Sequence, residues 1–353
     1  MNANPLRLLV VDDSALCREL LCEALEAERD IAVVGQAASG TEALRRVDEL
    51  KPDLVTMDVR MPGMDGLQTV SQLMAERPLP ILIVTELPAG PDDQVAFEAL
   101  RRGALDVARK PVVTDAGFGK DLRERVRWLA KTPVVLHPRP SRDPSLGPPP
   151  GLRPHSAIGL VGVGASAGGP SALSSLLGAL PGDFGATVAV VQHLPAGFAA
   201  AFASYLEART KLSVVIAEGP IALRPATVVL PPDDCHLICV DGSMLAPGRQ
   251  APRNGHRPSV DRLFESLAPV GAKAAAVLLS GIGSDGAEGM LRLRQRGGLT
   301  IAQDECSSAV YGMPRAALQC GAAAHVLSPQ RIARALVQAV TLRAARFVEG
   351  EGL

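Results

Sequence analysis

The chain has 353 residues, which is enough for two domains of about 150 to 200 residues each. The chain has a formal net charge of −1, and aromatic residues make up 3% of its sequence, so the composition argues against a nucleic-acid partner. No apolar run reaches the roughly 18 to 20 residues of a membrane span, and the six cysteines are scattered singly, so we expect a cytoplasmic protein without direct membrane insertion.

The first predicted domain, residues 1–131, alternates short apolar strands with amphipathic helical patterns. Helical patterns such as LCRELLCEALEAE and TEALRRVDEL lie between the strands. The predicted strands are residues 6–11, 31–34, 54–57, 81–84 and 105–108. Strands that alternate with helices in this way are typical of a parallel, doubly wound α/β sheet, here with five strands.

Polar residues follow these strands at the point where each strand ends. Asp12 and Asp13 follow the first strand, and Asp58 follows the third. Thr85 and Lys110 follow the fourth and fifth strands. Because the carboxyl ends of parallel strands lie at one edge of the sheet, we expect these five side chains to meet there. Clustered carboxylates favour Mg²⁺, and a carboxylate can also act as a nucleophile toward a phosphoryl group whose oxygens Thr85 and Lys110 would hold.

The segments LLVVDDS and TMDVRMPGMDG, with Thr85 and the pair Lys110-Pro111, resemble a response-regulator receiver domain. The resemblance covers about residues 5–130 and implies a flavodoxin-like fold. It also implies that Asp58 accepts a phosphoryl group from a histidine kinase of a chemosensory pathway. By the same resemblance, Asp12, Asp13, Asp58 and the carbonyl of Arg60 bind Mg²⁺.

One position departs from many receiver domains, which carry an aromatic switch residue three positions before the lysine. That position is Val107 in this chain. A rotating aromatic ring therefore cannot carry the signal here, and activation needs another route, such as the release of packing between domains.

Residues 132–156 read TPVVLHPRPSRDPSLGPPPGLRPHS and form a predicted interdomain linker. Proline removes backbone donors and restricts φ, so this segment cannot hold a helix or a central strand. The second predicted domain, 157–353, has strands at residues 157–163, 187–191, 214–217, 274–280 and 299–302. We predict a second doubly wound parallel sheet, with a β-ribbon insertion at 227–240 that turns at Pro231-Pro232-Asp233-Asp234.

The segment VGVGASAGG, residues 161–169, matches two motifs at once. As G-x-S-x-G it is a nucleophile elbow with Ser166 at its tip. As G-x-G-x-x-A it opens a dinucleotide-binding loop, which needs an acid at the end of the next strand. That strand, TVAVVQH, ends in Gln192 and His193, so the dinucleotide interpretation lacks its second anchor.

A serine hydrolase needs a base and an orienting acid that converge on the serine. His193 follows the strand after the Ser166 helix, and Asp285 lies in GIGSDGA beyond another strand end. These three side chains therefore meet at one sheet edge, with Ser166 as nucleophile, His193 as base and Asp285 as the acid that orients it. Backbone N–H groups at Ala167, Ile282 and Gly283 are candidates for the oxyanion hole.

Five segments of this domain resemble the catalytic domain of chemotaxis protein-glutamate methylesterases of the CheB type: IGLVGVGASAGGPSAL, VVQHLPAGF, NGHRPSVDRLF, LLSGIGSDGAEGM and AQDECSSAVYGMPRAA. The resemblance covers about residues 157–345. It implies hydrolysis of glutamyl γ-methyl esters on the cytoplasmic helices of methyl-accepting chemoreceptors, with release of methanol, and deamidation of receptor glutamines. It implies no cofactor for this domain. Ser166, His193 and Asp285 match the family's triad.

Ala167 departs from many relatives, which have threonine after the nucleophile; this change bears on rate more than on the class of reaction. Arg257, Pro258, Ser259 and Asp261 match a loop of the family, and the sequence assigns them no chemical role.

Three other functions stay open on the residues alone: a dinucleotide-dependent enzyme, a regulator that only binds partners, and a DNA-binding response regulator. The last needs a basic recognition helix, for which the second domain is too large and too neutral. The order of the domains suggests that the receiver packs over the edge that holds Ser166 until Asp58 is phosphorylated.

Overall fold

A computed structural model describes residues 5–90, 93–111, 118–132 and 158–348, with side chains described as far as residue 340. These residues form two compact units, one on each side of the gap at 133–157. The predicted linker, 132–156, lies outside the described residues except for Thr132. None of the described helices combines the length and the apolar character needed to cross a membrane.

The first unit is a parallel sheet packed with helices. In chain order its described elements are β1 (Leu6–Val11), α1 (Ala15–Glu26), β2 (Ile31–Ala37), α2 (Gly40–Leu50), β3 (Leu54–Met57), α3 (Gly66–Glu76), β4 (Ile81–Thr85), α4 (Val95–Arg101), β5 (Asp106–Arg109) and α5 (Phe118–Leu129). The strands lie in the order β2-β1-β3-β4-β5. Because the order reverses between β1 and β3, a ligand crevice forms beyond the ends of these two strands.

Local sequence explains where the helices of this unit begin. Ser14, Ser39 and Asp65 each stand before a helix in extended conformation, and each side chain accepts a hydrogen bond from a backbone N–H in the first turn. Such caps satisfy N–H groups that the helix itself cannot pair. The strands are buried on both faces, as expected for a parallel sheet covered by helices.

The second unit is a larger parallel sheet with an added antiparallel ribbon. Its described elements are β6 (Leu160–Ala165), α6 (Gly169–Gly178), β7 (Thr187–Gln192), α7 (Ala199–Glu207), β8 (Ser213–Ile216), β9 (Ile221–Ala222), β10 (Thr227–Leu230), β11 (His236–Val240), β12 (Met244–Gly248), α8 (Val260–Leu267), a 3₁₀-helix (Ala268–Lys273), β13 (Ala274–Leu278), α9 (Ala287–Gln295), β14 (Leu299–Gln303), α10 (Met313–Gln319), β15 (His325–Leu327) and α11 (Pro329–Val348). The parallel sheet has the strand order β15-β14-β13-β6-β7-β10-β8. β6 lies at its centre, between β13 and β7.

The predicted α/β class with parallel sheets is confirmed, but the predicted β-ribbon at 227–240 is wrong. β10 is a core strand that pairs in parallel with both β7 and β8. β11 belongs to a separate antiparallel sheet, where it pairs with β12, and β12 pairs with β9. The Pro-Pro-Asp-Asp segment therefore connects two sheets and does not form a hairpin turn. The buried apolar face of β10 is stabilised by burial in the larger sheet, which a two-stranded ribbon cannot provide. The other predicted strands differ from the observed ones only at their ends.

Candidate functional site

The first candidate site is an acidic cluster at the end of β1 and β3. Asp12 and Asp13 follow β1 and Asp58 follows β3, and their carboxylate oxygens lie within 4.8 Å of one another. The ammonium of Lys110, directly after β5, lies 2.8 Å from Asp12 Oδ2 and 2.8 Å from Asp58 Oδ2. Burial raises the pKa of Asp58, although Lys110 acts in the opposite direction. Among the residues that the structure describes, Lys110 pairs with two of these three carboxylates, so the cluster keeps excess negative charge of the kind a divalent cation neutralises.

The other predicted residues of this site lie around the same strand ends. Thr85 is the last residue of β4, and its carbonyl accepts a hydrogen bond from the backbone N–H of Lys110 at 2.8 Å. The backbone N–H of Arg60 donates to Asp58 Oδ1 at 3.3 Å, while the Arg60 side chain pairs with Asp93. Val107 is fully buried within β5. The sequence missed Cys17, whose thiol lies beside Asp12 and whose pKa burial raises to about 12, so it stays protonated.

The second candidate site lies where β13, β6 and β7 end. Ser166 directly follows β6 and His193 directly follows β7. Ala165 pairs with Gln192 in the parallel register, and the backbone N–H of His193 donates to the Ala165 carbonyl at 3.0 Å. The two residues therefore emerge side by side. β6 and β13 are also where the winding of the sheet changes direction, which is the usual place for a ligand site in such folds.

Asp285, in the loop after β13, reaches the imidazole of His193. His193 Nε2 lies 2.9 Å from Asp285 Oδ2. Because Asp285 occupies Nε2, Nδ1 is the ring nitrogen that this contact leaves available. This is the reverse of the arrangement in chymotrypsin-type proteases. Within the described residues Ser166 Oγ makes no hydrogen bond, and such contacts often tighten only when substrate binds.

The Asp285 carboxylate is held by the N-terminus of α8. Ser259 Oγ donates to Asp285 Oδ1 at 2.9 Å, and the backbone N–H groups of Val260 and Asp261 donate at 2.7 and 2.9 Å. Burial acts to raise the pKa of Asp285, but the hydrogen bonds from His193 and from these backbone groups hold that pKa well below its usual range. The carboxylate is therefore ionised and oriented before any substrate arrives.

Buried polar side chains brace the loop that carries Ser166. Gln192 Nε2 donates to the Ser166 carbonyl at 2.8 Å, and Ser280 Oγ donates to the Ala167 carbonyl at 2.7 Å. Gln303 Oε1 in turn accepts from the Ser280 N–H at 2.8 Å. These contacts fix the backbone around the candidate nucleophile, as a preorganised site requires.

The predicted oxyanion donors lie on loops that pack closely together. Across the described part of the chain, the backbone N–H groups of Ala167, Ile282 and Gly283 donate to no protein acceptor. A Cβ built on Gly312 would lie 2.5 Å from the Gly281 carbonyl oxygen and 3.1 Å from the Gly283 nitrogen. Only glycine at position 312 allows this approach, so the loop at 281–283 is held against its neighbour.

Sequence reasoning missed Ser259, Gln192 and Ser280 as parts of this site. Ser259 lies in the segment NGHRPSVDRLF, which the sequence singles out without a role. Gln192 stands where the dinucleotide motif needs an acid. In this fold its side-chain amide instead donates to the Ser166 carbonyl. Ser280 carries no local signal, because its partners lie more than a hundred residues away or in another loop.

Comparison with known proteins gives matches in both units. Residues 161–336 match the family model of the CheB methylesterase, and residues 8–118 match that of the response regulator receiver domain. A protein of Anaeromyxobacter dehalogenans named protein-glutamate methylesterase/protein-glutamine glutaminase 2 is 42% identical over 335 residues, covering 94% of this chain and 96% of that protein. A relative of the same name from Xanthomonas oryzae pv. oryzae is 40% identical over 350 residues, covering 94% and 97%. The crystal structure of the Thermotoga maritima CheB methylesterase catalytic domain is 33% identical with a TM-score of 0.50, over 52% of this chain and 99% of that one.

Proposed function

Because the chain belongs to the CheB methylesterase family and carries a response regulator receiver domain, we propose that Ser166, His193 and Asp285 hydrolyse glutamyl γ-methyl esters of chemoreceptors under the control of Asp58. The activity is that of a protein-glutamate methylesterase and protein-glutamine glutaminase. One observation supports this assignment of residues: β6, β7 and β13 are neighbours in the sheet, and the three side chains lie just beyond the ends of these strands. His193 contacts Asp285 on one ring nitrogen and leaves the other for the nucleophile.

The reaction begins when Ser166 Oγ attacks the ester carbonyl carbon and its proton passes to His193 Nδ1. Asp285 stabilises the imidazolium, and the backbone N–H groups of Ala167, Ile282 and Gly283 hold the developing oxyanion. The tetrahedral intermediate collapses, His193 returns the proton to the leaving oxygen, and methanol departs. A water molecule then attacks the acyl-enzyme, with His193 again as base, and the glutamate carboxylate and free Ser166 are regenerated.

Deamidation of glutamine follows the same route with a different leaving group. His193 protonates the amide nitrogen, so ammonia leaves in place of methanol. The acyl-enzyme is the same glutamyl ester, which explains why one triad serves both activities. The triad chemistry needs no cofactor in this unit.

In the first unit, Asp58 Oδ attacks the phosphorus of a phosphohistidine on the partner kinase, and the histidine leaves. Lys110 and Thr85 would hold the transferred phosphoryl oxygens. Asp12, Asp13, Asp58 and the carbonyl of Arg60 would hold Mg²⁺, and the close acidic cluster with its excess negative charge fits that ion. When bound, Mg²⁺ neutralises charge on the phosphoryl group.

We propose that phosphorylation of Asp58 relieves inhibition of the second unit by the first. Because residue 107 is valine, this signal does not use a rotating aromatic ring at that position. The partners in this proposal are the cytoplasmic helices of a methyl-accepting chemoreceptor and the histidine kinase of its pathway, and both place the protein in the cytoplasm.

The test is methanol release from a methylated chemoreceptor fragment by the full chain. We expect wild type to release methanol, Ser166→Ala to release none, and a small phosphodonor with Mg²⁺ to stimulate wild type but not Asp58→Asn. Release that persists in Ser166→Ala would refute the nucleophile. Equal stimulation of wild type and Asp58→Asn would refute control by Asp58.

A further inference from the structure

We infer that His256 is a positioning residue for the base, because its ring lies flat against the His193 ring and fixes the plane of that imidazole. The ring centroids of His193 and His256 are 4.1 Å apart and the planes differ by 8°. The inference rests on the proposed function, in which His193 moves the proton of Ser166. His256 lies in the segment NGHRPSVDRLF, and no motif of the sequence gives it a role.

The stack restricts a rotation of the His193 ring that the contact with Asp285 alone allows. One hydrogen bond, from His193 Nε2 to Asp285 Oδ2, fixes one ring atom. The second side-chain torsion of histidine has a broad range, so the ring can still rotate about that anchor. A second ring against its face removes this rotation, and Nδ1 is then held in one direction.

His256 is itself held by a tight two-residue turn. Arg253 and His256 exchange two backbone hydrogen bonds, at 3.1 and 2.9 Å, around Asn254 and Gly255. Asn254 has φ of 50° and Gly255 has φ of 83°. Two central residues with positive φ in the order Asn-Gly are typical of a type I′ turn, which fixes the direction of both flanking residues.

Ion pairs anchor the turn on its N-terminal side. Arg253 lies 2.8 Å from Glu265 on α8 and 2.7 Å from Glu288 on α9. The same guanidinium lies 3.6 Å from the buried carboxylate of Asp261.

On the C-terminal side, Arg257 makes two hydrogen bonds of 2.7 Å to Asp234. The loop that presents His256 is therefore held on both sides, and Arg253 ties it to α8, the helix whose N-terminus holds Asp285.

The stack acts on the step in which His193 takes the proton of Ser166. A ring held in one direction presents Nδ1 to Ser166 in the transition state, and small losses of such alignment slow the reaction. A contact that matters only at this step changes kcat and leaves KM nearly unchanged.

The first test compares His256→Ala with His256→Phe in the full chain. Since aromatic pairs contribute a modest energy, we expect His256→Ala to lower kcat for methanol release by about two- to tenfold with KM unchanged. His256→Phe keeps a flat ring and is expected to recover most of that loss. An unchanged kcat in His256→Ala would overturn the inference. So would a loss in His256→Phe as large as in His256→Ala, because it would mean that the imidazole chemistry of His256 matters and not its face.

A second variant moves the ring without changing it. A Cβ on Gly255 meets no atom within 4 Å, so Gly255→Ala strains only the positive φ of the turn. Gly321 has φ of 71° and equally open space, and Gly321→Ala is the matched control for that strain. We expect a lower kcat in Gly255→Ala, no change in Gly321→Ala, and no further loss when Gly255→Ala is added to His256→Ala. A full additional loss in the double variant would overturn the inference.

A spectroscopic measurement separates this inference from the proposed function. The ¹⁵N signals of the His193 ring, recorded on the full chain, report its tautomer and ring environment without substrate. We expect His256→Ala to shift them, and His325→Ala, on β15, to leave them in place. Unshifted signals in His256→Ala would overturn the inference whatever the activity. A wild-type chain that releases no methanol, but whose His193 signals respond to His256→Ala, would instead count against the proposed function alone.

Discussion

Replacement of Ser259 by alanine tests how Asp285, the acid of the proposed triad, is held. The Ser259 hydroxyl is fully buried and serves two partners at once. It donates to Asp285 Oδ1 at 2.9 Å and accepts the N–H of Arg262 at 3.4 Å as the N-cap of α8. A hydrogen bond to a charged group contributes about 1.5–3 kcal/mol, and a serine cap contributes about 1 kcal/mol.

The two contributions give a loss of about 3 kcal/mol in the free energy of unfolding of the second unit. For a domain of this size, each kcal/mol lowers the melting temperature by about 2–4 °C. We therefore expect Ser259→Ala to melt about 6–12 °C below wild type by calorimetry. Its kcat should also fall, because Asp285 loses one of the contacts that fix its carboxylate. The contacts with His193 and with two backbone N–H groups remain, so the fall should be partial.

Ser39→Ala is the matched control. Ser39 caps α2 in the first unit by accepting the N–H of Glu42 at 3.3 Å, and it contacts no carboxylate of the candidate triad. That variant should lose about 1 kcal/mol in the first unit and leave methanol release unchanged. If Ser259→Ala loses no more stability than Ser39→Ala, the reasoning about the Asp285 carboxylate is refuted.

Three further predictions concern packing, pH and the metal. A Cβ at Gly281 would lie 2.9 Å from the Cβ of Ser166, so Gly281→Ala should lower kcat at least about tenfold. Gly159→Ala is the control, because a Cβ at Gly159 meets no atom within 4 Å, and it should leave kcat unchanged. Equal rates in the two variants would contradict the packing argument. Burial raises the pKa of Asp261 to about 6, so ionisation of Asp261 opposes folding, and the stability of the second unit falls as pH rises from about 4 to about 6. Asp261→Asn should flatten this part of the curve of melting temperature against pH. An unaltered slope would count against this role of Asp261. Mg²⁺ at a hundred times its Kd for wild type should stabilise the first unit by about 2.7 kcal/mol in calorimetry. A stabilisation of the same size in Asp13→Ala at the same Mg²⁺ concentration would exclude Asp13 as a ligand.

The polar residues at strand ends could be located without coordinates. Asp12, Asp58 and Lys110 each interrupt the pattern at the end of an apolar run, and Ser166 and His193 do the same in the second unit. A parallel α/β sheet brings such ends to one edge whatever the details of packing, so the class of fold was enough to group them. The prediction was wrong where it relied on neighbours in sequence, as in the ribbon at 227–240.

The sequence by itself determined the two α/β sheets, the acidic cluster and the three side chains of the candidate triad, because strand period and strand ends are local signals. Only the tertiary structure decided that β10 lies in the core sheet, that Ser259 and the N-terminus of α8 hold Asp285, and that His256 stacks on His193. These contacts join residues that are far apart in the chain. Their energy depends on the distance and orientation that the packed elements impose, and no local pattern of residues encodes either.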